Sequence, residues 1–116
     1  LISAIAQMNE GVNFKGSELS APTNFCIGGS VDLSYGLQAE AKLAARKVQA
    51  GAHFLLTQPI FSAAESVRFL DAYSGQSERP PSVPVFFGLQ ILEQSGVVFS
   101  FVPESVRNEL ESGRPA

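Results

Sequence analysis

Three short apolar runs, opening at Phe25, Phe54 and Val85, recur 29 and 31 residues apart, and an amphipathic segment follows each of the first two. A strand, a crossover helix and their loops occupy about 30 residues, so this period predicts repeated βα units. The strands read as continuous apolar runs rather than as an alternation, which is the pattern of a parallel sheet covered by helices. Right-handed crossovers then bring every strand's carboxyl end, and any site built there, to one side of the molecule. Two architectures share this pattern: a (βα)8 barrel and an open doubly wound sheet. A closed barrel takes roughly 250 residues, so 116 residues cannot close one.

Each unit carries its own punctuation. The first strand is expected over residues 24–30, with Phe25, Cys26 and Ile27 buried and Gly28-Gly29 at its end. Residues 37–50 then read as a helix with Leu37, Ala41, Ala44, Ala45 and Val48 on its core side and Gly51 as its stop. The second strand, 54–58, ends where Pro59 removes a ladder donor. Ser62 with Glu65 three residues on is a capping box, and Ala63, Val67, Leu70 and Tyr73 make the stripe of the next helix. Residues 74–84 form a Pro- and Gly-rich loop before the third strand at Val85-Phe86-Phe87. The rhythm then breaks. Too few residues separate Leu92 from Val97-Val98-Phe99 for a parallel crossover, so that run is either the second arm of a hairpin or a coil. A last helix is expected from Pro103, burying Val106 and Leu110 and stopping by Gly113.

At the other end, Leu1, Ile2, Ile5 and Met8 recur at helical spacing with no capping residue before them. This suggests a longer natural chain, a processed terminus being the alternative. A net charge of -3 with no basic stripe argues against a nucleic-acid partner. No apolar run approaches the roughly 18 residues of a membrane span, and the single cysteine points to a reducing compartment, with cytoplasm as the expectation.

Polar residues at strand ends are the candidates for chemistry. Gln58 closes the second strand, where an amide can donate to and accept from a heteroaromatic ring, or simply satisfy loop backbone. Gly28-Gly29-Ser30, with Asp32 and Ser34 beyond, could admit a ligand close to the backbone, although a plain turn uses the same residues. Glu40, Leu43, Arg46 and Lys47 form a stripe on the helix flank. Its cations can hold a phosphate or, more economically, offset the helix dipole. His53 falls at the amino end of its strand, where a structural role is expected. No spacing suggests a metal site or a GxSxG nucleophile.

The segments Phe25-Cys26-Ile27-Gly28-Gly29-Ser30-Val31-Asp32, Ala45-Arg46-Lys47-Val48-Gln49-Ala50-Gly51-Ala52-His53-Phe54 and Leu56-Thr57-Gln58-Pro59-Ile60-Phe61 together resemble the methylenetetrahydrofolate reductase family. The resemblance covers about residues 22–88, in the later part of that family's barrel, with an echo through Val102-Pro103-Glu104-Ser105-Val106. It implies a partial (βα)8 TIM barrel of three to four βα units, the chain being the C-terminal portion of the barrel. The implied parent uses FAD and NAD(P)H to reduce 5,10-methylenetetrahydrofolate to 5-methyltetrahydrofolate. By motif match, Gln58 is similar to the glutamine that bonds the pterin ring. Glu40, Leu43, Arg46 and Lys47 are similar to the helix along the ADP part of FAD, and Ser30 to a loop position facing the cofactor. The family's catalytic glutamate lies on an early strand with no counterpart here, and its folate-contacting helix after Gly88 is absent from Leu89-Gln90-Ile91-Leu92-Glu93-Gln94-Ser95-Gly96. The chain alone is therefore expected to be inactive. A non-catalytic binding domain derived from the barrel and a stand-alone doubly wound domain are the rivals. An incomplete barrel with exposed apolar edges is also expected to form homo-oligomers.

Overall fold

The computed structural model describes residues 1–93 and 102–112, and within them the chain is α/β. Helix α1 (Ile2–Asn9) precedes strand β1 (Gly28–Val31), helix α2 (Leu37–Gln49), strand β2 (Phe54–Thr57), helix α3 (Ala63–Ser77), strand β3 (Val85–Phe86) and helix α4 (Glu104–Glu111). The strands form one parallel sheet in the order β1-β2-β3, with Gly28 opposite Phe54, Ser30 opposite Leu56 and Leu56 opposite Phe86. The run at residues 97–99 and the stop at Gly113 lie outside the described residues. No helix among the described residues is long and apolar enough to cross a membrane.

Both crossovers step the same way across the sheet, so right-handed connections place α2 and α3 on a single face. There they pack against each other, and Val31, Ala41, Ala44, Leu55, Phe69, Ala72 and Tyr73 form the core between helices and strands. Phe69, fully buried, sets its ring edge-on to Phe87 at 6.2 Å between centroids. The opposite face is largely uncovered. Phe54 meets Phe86 edge-on at 6.0 Å there, yet Leu56 and Phe86 remain 52% and 55% exposed. The molecule is accordingly thin, 59 × 33 × 19 Å, with its short axis close to one helix of about 10 Å diameter plus a sheet.

Several sequence expectations change. The first strand starts at Gly28 rather than residue 24, because the Asn9 side chain occupies the backbone of Phe25. Asn9 Nδ2 donates to the Phe25 carbonyl at 2.9 Å, and Asn9 Oδ1 accepts the Phe25 N–H at 2.8 Å. Phe25 and Cys26 are consequently exposed, not buried, and the two glycines lie inside the strand. On α3 the buried side is Phe69, Ala72 and Tyr73. Val67 and Ala63 face solvent, because the helix turns its aromatic residues onto the sheet. The helix also runs to Ser77, into the expected loop, before Glu78 ends it in the left-handed conformation. No residue of α1 or α4 is fully buried, and Leu1 is 95% exposed.

Candidate functional site

At the carboxyl edge of the sheet, β1 runs into a short 3-10 turn, Leu33–Tyr35, while β2 stops at Thr57 before Pro59. Asp32 caps the turn: its Oδ1 accepts from the Ser34 N–H at 3.0 Å and the Ser34 hydroxyl at 2.6 Å. Glu65, at the start of α3, accepts the N–H groups of Phe61 at 2.6 Å and Ser62 at 3.1 Å through Oε2. Thr57, buried beneath this edge, accepts the Gly88 N–H at 3.0 Å, and the Gly88 carbonyl accepts from Ile60 at 2.9 Å. Gly88 is required there, since a Cβ would stand 2.7 Å from the Thr57 carbonyl oxygen. These bonds draw the ends of β2 and β3 together around Gln58.

Gln58 is exposed, and its N–H donates to the Val31 carbonyl at 2.8 Å. Its side-chain amide has no hydrogen-bond partner among the described residues. Continuing the alternation of Phe54 and Leu56, Gln58 belongs to the uncovered side of the sheet. With Asp32, Ser34, Phe61, Glu65 and Pro103 it lines a small cavity of about 120 Å³. Both carboxylates of this cavity are committed to backbone N–H groups, which leaves the Gln58 amide as the free polar group.

A second, larger groove runs along the free edge of β1. About 470 Å³ in volume, it is lined by Gly28, Gly29 and Ser30 of the strand and by Leu43, Arg46 and Lys47 of α2. Leu1 and Ile2 close one end, a contribution no spacing in the sequence announces. Four of the five expected cofactor contacts, Ser30, Leu43, Arg46 and Lys47, thus meet in one place. Glu40 does not join them: it is 8% exposed, on the part of α2 turned inward beside Ala41 and Ala44. The Lys47 ammonium donates to the Ser30 carbonyl. The Arg46 guanidinium has no hydrogen bond or ion pair among the described residues.

His53 stands at the other end of β2, where its Nδ1 accepts the Ile27 N–H at 2.9 Å and its own N–H donates to the Ile27 carbonyl at 2.7 Å. Its ring therefore serves the entry to β1, away from both cavities. Among the described residues no group of three or more His, Cys, Asp or Glu could hold a metal ion. Compared with family models, curated proteins and solved structures, the chain matches none.

Proposed function

We propose that this chain is a sector of a (βα)8 barrel of the methylenetetrahydrofolate reductase type, contributing part of the FAD site and one folate contact to a cytoplasmic flavin-dependent oxidoreductase. The observation that carries the reading is the groove. Ser30 of β1 and Leu43, Arg46 and Lys47 of α2, which the resemblance implies as cofactor contacts, line a single cavity.

The donor set suits the ADP portion of FAD. The groove offers an unpaired guanidinium for a diphosphate, two glycines where a ligand can approach the strand, and Leu43 as an apolar surface. Its volume falls within the ~300–1,000 Å³ typical of small-molecule sites. When bound, FAD supplies the hydride transfer from NAD(P)H to methylenetetrahydrofolate, and the protein's share is orientation and electrostatics. In that division of labour Arg46 balances the diphosphate charge and β1 forms the wall of the groove. Gln58, free at the carboxyl edge, donates to and accepts from the pterin ring.

Proton donation would fall to residues elsewhere in the barrel, because Asp32 and Glu65 are engaged by backbone N–H groups. The same commitment favours the rival reading, a non-catalytic binding domain that kept a partial barrel and lost the folate chemistry. In either case the uncovered sheet face needs a partner layer, from further βα units or from a second copy, which is the basis for expecting self-association.

Half-reactions separate the readings. In the FAD-loaded parent enzyme, Gln58→Ala should slow transfer to folate by tenfold or more and leave flavin reduction by NAD(P)H within about twofold, since the amide meets only the second substrate. Equal loss in both half-reactions would make Gln58 structural, and a parent that takes up no FAD would leave the binding domain.

A further inference from the structure

We infer that the cavity between α2 and α3, at the amino end of the sheet, is a binding site for a small hydroxylated phosphate ester, with Lys42 and Arg79 as its cations. It shares only Arg46 with the groove beside β1 and lies at the opposite end of the helices from Gln58. The inference does not rest on the FAD reading.

Each helix leaves the carboxyl end of one strand and returns to the amino end of the next, so the last turns of α2 and α3 lie together. The cavity between them has a volume of about 570 Å³, within the range of small-molecule sites. Glu78, in the left-handed conformation, ends α3 and turns Arg79 and Ser82 to the cavity opposite Lys42 and Gln49. Tyr73 lines it from the core.

Charge gathers here. Lys42, Arg46 and Arg79 line the cavity against one carboxylate, Glu78, in a chain whose net charge is -3. Offsetting the helix dipole accounts for Arg46 in the last turn of α2, but not for Lys42 a turn earlier. Lys42 and Arg46 stand four residues apart, where like charges on a helix repel. The acid of α2, Glu40, is turned inward and does not answer them. Neither Lys42 nor Arg79 has an ion pair among the described residues.

Ser77 is the independent observation. It lines the cavity, and its hydroxyl is buried with no hydrogen-bond partner among the described residues. Buried hydroxyls are rarely left so, and this one can both donate to and accept from a ligand hydroxyl. Gln76 is committed, its Nε2 donating to the Gln38 carbonyl at 2.6 Å. The cations supply charge-assisted bonds to phosphate oxygens, and Ser77 with Gln49 supplies bonds to the hydroxyls. Away from the carboxyl edge, such an occupant ties α2 to α3 as an effector rather than reacting as a substrate.

Glucose 6-phosphate, inorganic phosphate and glucose are the probes, titrated calorimetrically into the 116-residue chain alongside thermal melting. The ester should bind saturably at one per chain and raise the melting temperature by several degrees at saturation. Inorganic phosphate should bind more weakly, and glucose more weakly still. Arg79→Gln and Lys42→Gln should each weaken the ester by about tenfold and leave the melting temperature of the free chain unchanged. Ser77→Ala should weaken it by about threefold without lowering that temperature, since the hydroxyl removed bonds nothing. Neither Ser77 nor Arg79 borders the groove beside β1 or the cavity at Gln58, so their effects locate the ligand. No saturable binding of the ester, or unaltered binding in Arg79→Gln and Ser77→Ala, would overturn the site. Inorganic phosphate binding as tightly as the ester would overturn the hydroxylated ligand, and glucose binding as tightly would overturn the anion.

Discussion

The imidazole of His53 and the side chain of Asn9 perform the same service on neighbouring stretches of backbone. Asn9 takes both polar groups of Phe25, and His53 takes the N–H of Ile27, so the ladder with β2 begins only at Gly28. Neither bond is legible from sequence, because the partners lie 16 and 26 residues apart and nothing in their spacing joins them. The apolar run Phe25-Cys26-Ile27 therefore reads as strand when only Ile27 is buried. His53→Ala should cost about 1 kcal/mol by leaving the Ile27 N–H without its partner. Thermal denaturation should register this as a drop of a few degrees, and His53→Asn, whose carbonyl oxygen can accept, should recover part of it. An unchanged melting temperature in His53→Ala would mean that solvent replaces the ring at no cost. Lys47 teaches a related lesson. Its position in the stripe is evident from sequence, but its attachment to the Ser30 carbonyl depends on the fold bringing α2 across β1.

Elements were more legible than contacts. The βα rhythm, the parallel sheet, the extent of α2 and the capping signal before α3 all follow from local patterns of apolar spacing, glycine and proline, and the structure contains them. On α3 the expected stripe holds in part: Tyr73 is buried and Leu70 packs against the core, while Ala63 and Val67 face solvent. Val67 lies on the expected stripe, but Phe69 is the larger apolar group, and burying its ring between α2 and the sheet turns Val67 outward. The start of α3 rests on one carboxylate. Glu65 accepts the N–H groups of the N-cap residue Ser62 and of Phe61 before it, folding the entering chain back onto the first turn. Glu65→Ala should therefore destabilise the protein by about 1 kcal/mol, with loss of amide protection concentrated at Phe61 and Ser62 in hydrogen exchange. Glu65→Gln, which keeps an acceptor oxygen, should lose less. Equal protection in all three proteins would show that the cap carries no weight.

For the whole molecule the informative feature is asymmetry. Parallel sheets are almost always covered on both faces, and here one face carries the helices while the other presents Phe54, Leu56 and Phe86. The same asymmetry is what a sector of a barrel shows, since the face away from the helices becomes the interior once the ring closes. Three strands in sequential order suit that reading and also suit an open sheet, so architecture alone does not choose between them. Under the proposed function the groove beside β1 holds the ADP portion of FAD. Calorimetric titration of the 116-residue chain with FAD and with riboflavin, which lacks the ADP portion, tests this most directly. Saturable binding of FAD at one per chain, displaced by ADP, with riboflavin binding at least tenfold more weakly, is the predicted result. Failure of FAD to saturate at millimolar concentration, or equal binding of riboflavin, would contradict it.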